Sequence, residues 1–193
     1  MRILLYGIGN PGRQDDGLGP AVVEAVEQSL ATAAADREDE ARGEGAAQEI
    51  SFDANYQLNV EDAEAVSRQD VEVFVDASLG GSSAGETAAG SVATTGSPPF
   101  ELTRVAAEAG ASFSTHSVSA GAVLALCHEL YGSHPAVFML AVRGASWEVN
   151  EPLSAGAREN LGAAVAFLLQ ALASGDRAQG PRDFLDGIVS SPK

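Results

Sequence analysis

The 193-residue chain has one cysteine, few basic residues and no long apolar run. A single cysteine, Cys127, excludes an internal disulfide and is typical of a reducing compartment, so we expect a cytoplasmic protein. Lys and Arg number 11 against 27 Asp and Glu, and the net charge of −16 disfavours binding to nucleic acid or to anionic membranes. No stretch approaches the roughly 18 apolar residues of a membrane span, and the first residues lack the features of a signal peptide.

The order of strands and helices predicts the fold class. Apolar residues make up 45% of the chain and charged residues 20%, an ordinary globular composition. Short apolar runs predict strands at residues 2–8, 49–53, 71–76 and 136–142, with an edge strand near 91–95. Helical spacing predicts helices at 20–30, 59–67, 98–110, 117–130 and 154–172. This alternation indicates a three-layer α/β/α domain with a twisted, mostly parallel open sheet of about five strands.

The domain boundaries follow from composition. We expect one α/β domain over residues 1–173, with an acidic insert at about 36–46. Residues 174–193 are predicted to be a polar C-terminal tail, disordered in solution.

Polar residues follow several predicted strands. Asn10, Asp15 and Asp16 come after the first strand, Asp76 ends the third, and His116 precedes the helix that leads into the last. Ligands of open α/β sheets bind outside the carboxyl ends of the strands. The sequence therefore predicts a functional site at this edge, although helix-capping and turn roles explain each residue locally.

Two familiar interpretations of the first loop are disfavoured. GIGNPG at residues 7–12 matches the G-x-G-x-x-G motif of dinucleotide-binding proteins, but Pro11 removes a loop N–H, and Asp15 and Asp16 would repel phosphate. The same loop resembles the opening of bacterial peptidyl-tRNA hydrolases. That family has a histidine soon after this loop and binds RNA on a basic face, whereas the first histidine here is His116 and the net charge is −16.

Four segments together resemble the NiFe-hydrogenase maturation endopeptidases. They are GIGNPGRQDDGLGP at 7–20, VFVDA at 73–77, STHS at 114–117 and LAVRGASWEV at 140–149, in the family's order. The resemblance spans roughly residues 1–170. It implies a peptidase that removes the C-terminal extension of a hydrogenase large-subunit precursor after nickel has been inserted.

The resemblance also implies the site residues. The family's metal ligands correspond to Asp16, Asp76 and His116, which would serve as the catalytic set by binding nickel already held by the precursor's cysteines. The best-known members have Glu where this chain has Asp16. Zn²⁺ or another divalent cation is expected to substitute in the isolated protein. Asn10 is a supporting candidate that orients the loop or donates to an oxyanion, and the general base is either Asp15 or the unbound oxygen of a ligand carboxylate.

The alternatives belong to other classes of protein. Cys127 lies on the apolar face of its helix and is predicted to be a core residue rather than a nucleophile. Residues 81–85 match the G-x-S-x-G motif, but Ser83 stands too far past its strand and no Asp lies between it and His116. A non-catalytic factor that binds metal or precursor is the main alternative to an endopeptidase.

Overall fold

A mixed five-stranded sheet organises the protein. The computed structural model describes residues 1–37, 48–79, 98–108, 118–174 and 180–190. The strands are β1 (Arg2–Ile8), β2 (Glu49–Asn55), β3 (Val71–Ser78), β4 (Phe100–Arg104) and β5 (Ala136–Arg143). Their order in the sheet is β2-β1-β3-β5-β4, and only β4 runs antiparallel to its neighbour. The predicted mostly parallel sheet is confirmed.

Helices cover both faces of this sheet. They are α1 (Leu18–Arg37), α2 (Asp62–Ser67), α3 (Ala120–Tyr131), α4 (Ala155–Ala173) and α5 (Pro181–Ser190). Apolar residues of α1, α4 and α5 pack against one face, whereas those of α2 and α3 pack against the other. The three-layer architecture is therefore confirmed. None of the described helices is both long and apolar enough to cross a membrane.

The segment after Pro98 and Pro99 is a strand, so the helix predicted there is wrong. Phe100 and Leu102 pack against the core while Glu101 is exposed, a two-residue alternation typical of a strand. β4 closes the edge of the sheet by pairing with β5. The edge strand expected near 91–95 and most of the acidic insert lie outside the described residues.

The C-terminal segment contains a helix where a disordered polar tail was expected. Pro181 suits the first turn of α5 because proline has no amide N–H, and an N–H at this position would have no partner within the helix. Leu185 is buried in the core, and Phe184 packs against Phe167 of α4 with ring centroids 6.1 Å apart. Burial of these few apolar side chains explains why a segment rich in polar residues joins the domain.

Glu72 is an unpartnered carboxylic acid in the interior. It lies on β3, is fully buried, and neither carboxyl oxygen has a hydrogen-bond partner among the described residues. Burial raises its pKa well above the ordinary value, and the charges of Asp62 and Asp53 add to the effect. The nearby Cys127 is also fully buried, which confirms its predicted core position, and burial raises its thiol pKa to about 11.

Replacing Glu72 by Leu is expected to raise the free energy of unfolding by about 1–3 kcal/mol at pH 8, because an unsatisfied buried polar group is removed. The folded protein retains a proton that the unfolded chain loses above the ordinary pKa of 4.5, so wild-type stability falls as pH rises from there toward the folded-state pKa. Urea unfolding at pH 5 and pH 8 measures the gap between the two proteins, which should widen with pH. Glu72→Gln, which cannot ionise, is the matched control and should lack this pH dependence. A stability gap between wild type and Glu72→Leu that is the same at pH 5 and pH 8 would show that the pKa of Glu72 is not raised.

Candidate functional site

Close backbone packing brings the start of α1 onto the carboxyl ends of β1 and β3. Gly9 has a φ of +135°, and a Cβ added there would lie 1.9 Å from the carbonyl oxygen of Asp16. A Cβ at Gly19 would lie 2.2 Å from the carbonyl oxygen of Ile8 and 2.4 Å from that of Val75. Only glycine permits this approach, which sets Asp16 beside the end of β3.

Two of the three predicted ligands, Asp16 and Asp76, interact at this edge. Both are half-buried. Burial raises the pKa of Asp76 to about 6, a hydrogen bond from the amide of Ala77 opposes this shift, and the charge of Asp16 adds to it. No Lys, Arg or His among the described residues forms an ion pair with either carboxylate. The pair therefore carries negative charge that a cation would neutralise.

The third predicted ligand, His116, lies outside the described residues. Its place beside the two carboxylates stays a prediction. Within the described part of the chain, no group of three or more His, Cys, Asp or Glu side chains is arranged to hold a metal ion. The structure thus brings together two members of the predicted set.

Asp15 has surroundings quite unlike those of its neighbour Asp16. Its side chain is fully buried, and Oδ2 accepts hydrogen bonds from the amides of Ala145 (2.8 Å) and Ser146 (3.0 Å). Oδ1 accepts from the amide of Ser154 at 2.7 Å, while the Ser154 hydroxyl donates to Oδ2 at 2.8 Å. Burial alone would raise the pKa of Asp15, but these hydrogen bonds outweigh it and lower the pKa. Because both oxygens are engaged, Asp15 joins two loops and is a poor choice of general base.

Backbone hydrogen bonds extend the junction made by Asp15. The amide of Asp15 donates to the carbonyl of Ser146 at 3.1 Å, and that of Asn150 donates to Gly12 at 2.9 Å. The loop after β5 is therefore fastened along the loop after β1. The sequence presents Asp15 and Asp16 as equivalent neighbours, and no local signal reveals that one is buried beneath the 144–154 loop.

Asn10 organises the first loop around Asp16. Its side-chain oxygen accepts from the amide of Gly12 at 2.9 Å, and its own amide donates to Oδ2 of Asp16 at 3.2 Å. This is a turn-forming arrangement that also orients the Asp16 carboxylate. The loop-orienting interpretation of Asn10 therefore has direct contacts in its favour.

An apolar cleft of about 200 Å³ adjoins the loop that carries Asp16. Its lining consists of Gly9, Pro11, Pro20, Ala54, Asn55 and Tyr56. Leu79 and Val149, at the ends of β3 and β5, are also largely exposed. Exposed apolar side chains from three loops thus lie at the same end of the sheet as the carboxylates, and such a surface suits a peptide or protein ligand.

Comparison with known proteins identifies the fold. The sequence matches no protein-family model and no curated protein. The hydrogenase maturating endopeptidase HybD of E. coli is 20% identical with a TM-score of 0.58, over 91% of this chain and 94% of that one. The NiFe-hydrogenase maturation protease HycI of Thermococcus kodakarensis KOD1 is 20% identical with a TM-score of 0.56, over 88% and 90%. The chain therefore has the fold of hydrogenase maturation proteases, which confirms the fold implied by the sequence resemblance.

Replacing Asp15 by Ala is expected to lower the free energy of unfolding by about 3 kcal/mol or more, because it leaves buried donors unsatisfied. Urea unfolding at pH 7 measures the loss. Asp16→Ala is the matched control, since the Asp16 carboxylate accepts a single long hydrogen bond from the residues that the structure describes, and its effect should stay within about 1 kcal/mol. Equal effects at the two positions would contradict the assigned role of Asp15.

Replacing Asp16 by Asn is expected to lower the pKa of Asp76 from about 6, because it removes a neighbouring negative charge. The value should remain above the ordinary 3.8, since burial is the larger cause. NMR titration of side-chain carboxyl carbons measures both proteins. Asp183→Asn on α5 serves as control and should leave the pKa of Asp76 unchanged; an unchanged value in Asp16→Asn would show that the two carboxylates are not coupled.

Proposed function

We propose that this protein is an endopeptidase that removes the C-terminal extension of a NiFe-hydrogenase large-subunit precursor after nickel insertion. The observation that carries the proposal is the convergence of Asp16 and Asp76, without a cationic partner among the described residues, at the carboxyl edge of this fold. A shared fold does not establish an activity, so the chemistry of this edge is the decisive part.

The donor set suits a borderline divalent cation. Two carboxylates and one imidazole, from Asp16, Asp76 and His116, would complete the coordination of nickel that the precursor brings as part of the substrate. Burial is the main cause of the raised pKa of Asp76, and the charge of Asp16 adds to it; a cation near the pair would favour the ionised form of Asp76 and relieve that repulsion. In the isolated protein, Zn²⁺ or another divalent cation would occupy the same donors.

Hydrolysis needs an activated water and a proton acceptor. A divalent cation at this edge would polarise the scissile carbonyl or lower the pKa of a bound water. Asp15 is occupied by four hydrogen bonds, which leaves the second oxygen of Asp16 or Asp76 as the acceptor. The role of Asn10 is to hold Asp16 in position through its backbone amide.

The surface around the carboxylates supports a peptide substrate. The cleft beside the first loop is mainly apolar and large enough for a side chain of the precursor. Tyr56, Leu79 and Val149 provide further apolar area at the same edge. A docked precursor would cover this area and exclude water from the coordination site.

Incubation with a nickel-loaded precursor is expected to shorten that precursor by its C-terminal peptide, as measured by mass spectrometry. Asp16→Asn, Asp76→Asn and His116→Ala should each slow cleavage by about a hundredfold or more, since each removes a proposed ligand. Asp183→Asn, an exposed carboxylate on α5, is the matched control and should cleave at the wild-type rate.

The nickel-free precursor separates metal recognition from simple proteolysis. Cleavage that proceeds equally well without nickel would contradict the proposed role of the three ligands. Nickel-dependent binding without cleavage would instead support the alternative, a non-catalytic maturation factor.

A further inference from the structure

Two histidines lie next to each other near the amino end of β5, at the end of the sheet opposite to the carboxylates. His128 lies on the last turn of α3, and His134 lies in the loop that leads into β5. Their ring centroids are 4.3 Å apart, with an angle of 47° between the ring planes. His128 is half-buried and His134 is exposed, so the pair is open to solvent on one side.

The loop that carries His134 is held firmly in place. Gly132 ends α3 in the left-handed conformation with a φ of +60°, and its amide donates to the carbonyl of Cys127. Ser133 donates through its amide to the same carbonyl at 3.2 Å and through its hydroxyl to Ser67 at 2.7 Å. The two imidazoles are therefore brought together by the backbone before any ligand arrives.

Neither His128 nor His134 makes a hydrogen bond or ion pair with the residues that the structure describes. Two imidazoles that share one cation through bonds of about 2.0–2.1 Å have centroids about 4.5 Å apart at a right-angled coordination, and about 5.2 Å apart at a tetrahedral one. The observed separation of 4.3 Å therefore brings the two rings within reach of one cation.

We propose that His128 and His134 form a binding site for a borderline divalent cation such as Ni²⁺, Cu²⁺ or Zn²⁺. Imidazole suits Ni²⁺, Cu²⁺ and Zn²⁺, whereas Ca²⁺ and Mg²⁺ prefer oxygen ligands. No third His, Cys, Asp or Glu joins the pair among the described residues, so water completes the coordination and the cation exchanges readily. The site uses no residue of the proposed peptidase site and stands independently of that proposal.

A bound cation at this position would link two elements. It would connect the end of α3 to the loop before β5 and stabilise the folded chain, since the unfolded chain does not hold the pair together. The thermal unfolding temperature should therefore rise with added Ni²⁺. Mg²⁺ at the same concentration should leave it unchanged.

Titration of the metal-free full chain tests the site. Calorimetry with NiCl₂ measures affinity, and histidine Hε1 NMR signals during ZnCl₂ addition identify the ligands. His128→Gln and His134→Gln should each weaken this binding by about tenfold or more and remove the shift of the remaining histidine of the pair. Asp183→Asn, an exposed carboxylate on α5, is the control and should leave the signals and binding of the pair unchanged.

Two results would overturn the site. Equal Ni²⁺ affinity in His128→Gln, His134→Gln and wild type would show that the rings merely stack. Loss of all binding in His116→Gln alone would assign the cation to the carboxyl edge, which would favour the ligand set of the proposed peptidase while refuting the histidine pair. Circular dichroism of both pair variants confirms that they are folded.

Discussion

The buried carboxylate of Asp15 determines how the candidate site is built. Removing a charge from water is costly, and here the hydrogen bonds from Ala145, Ser146 and Ser154 offset that cost. These donors lie at least 130 residues away along the chain. The contact fastens the loop after β5 to the loop after β1. The loop after β1 in turn fixes where Asp16 lies relative to the end of β3. A candidate site spread over distant segments thus depends on one residue whose carboxylate is already occupied by hydrogen bonds.

Local patterns were sufficient where one physical signal dominates. Strand β1 was predicted with its observed bounds because a buried parallel strand is a continuous apolar run, and Ser154 was predicted as the cap that the structure confirms. Strand β4 was not predicted, because its alternation of partly buried and exposed side chains covers only five residues and indicates a strand only once its pairing with β5 is known. Helix α5 was missed for a related reason, since Leu185 becomes a core residue only once α4 and the sheet offer a surface. For the candidate site, the sequence points to both Asp15 and Asp16, and only tertiary contacts show that Asp15 is fully hydrogen-bonded to a distant loop.

Two carboxylic acids with raised pKa values show why such shifts need a structural context. Glu72 and Asp76 lie on the same strand, and burial is the main cause of both shifts. Glu72 is fully buried and has no hydrogen-bond partner among the described residues, so its shift reflects an unfavourable interior position to which the charges of Asp62 and Asp53 add. Asp76 is half-buried at the sheet edge and is coupled to a second carboxylate. Only Asp76 combines a perturbed pKa with access and a neighbour with which it can share a ligand.

The carboxylate pair has a consequence for nickel recognition under the proposed function. Burial, with the charge of Asp16 adding to it, favours the protonated form of Asp76, and this proton competes with a cation for the same oxygen donors. Oxygen donors are also a poorer match for Ni²⁺ than nitrogen or sulfur. A site of this kind gains most when the cation arrives with ligands of its own, as it does in a loaded precursor. Weak intrinsic binding would then be the basis of discrimination, because an empty precursor offers the carboxylates nothing to coordinate, and a free ion, which brings no ligands of its own, would be held less tightly than a precursor-bound one.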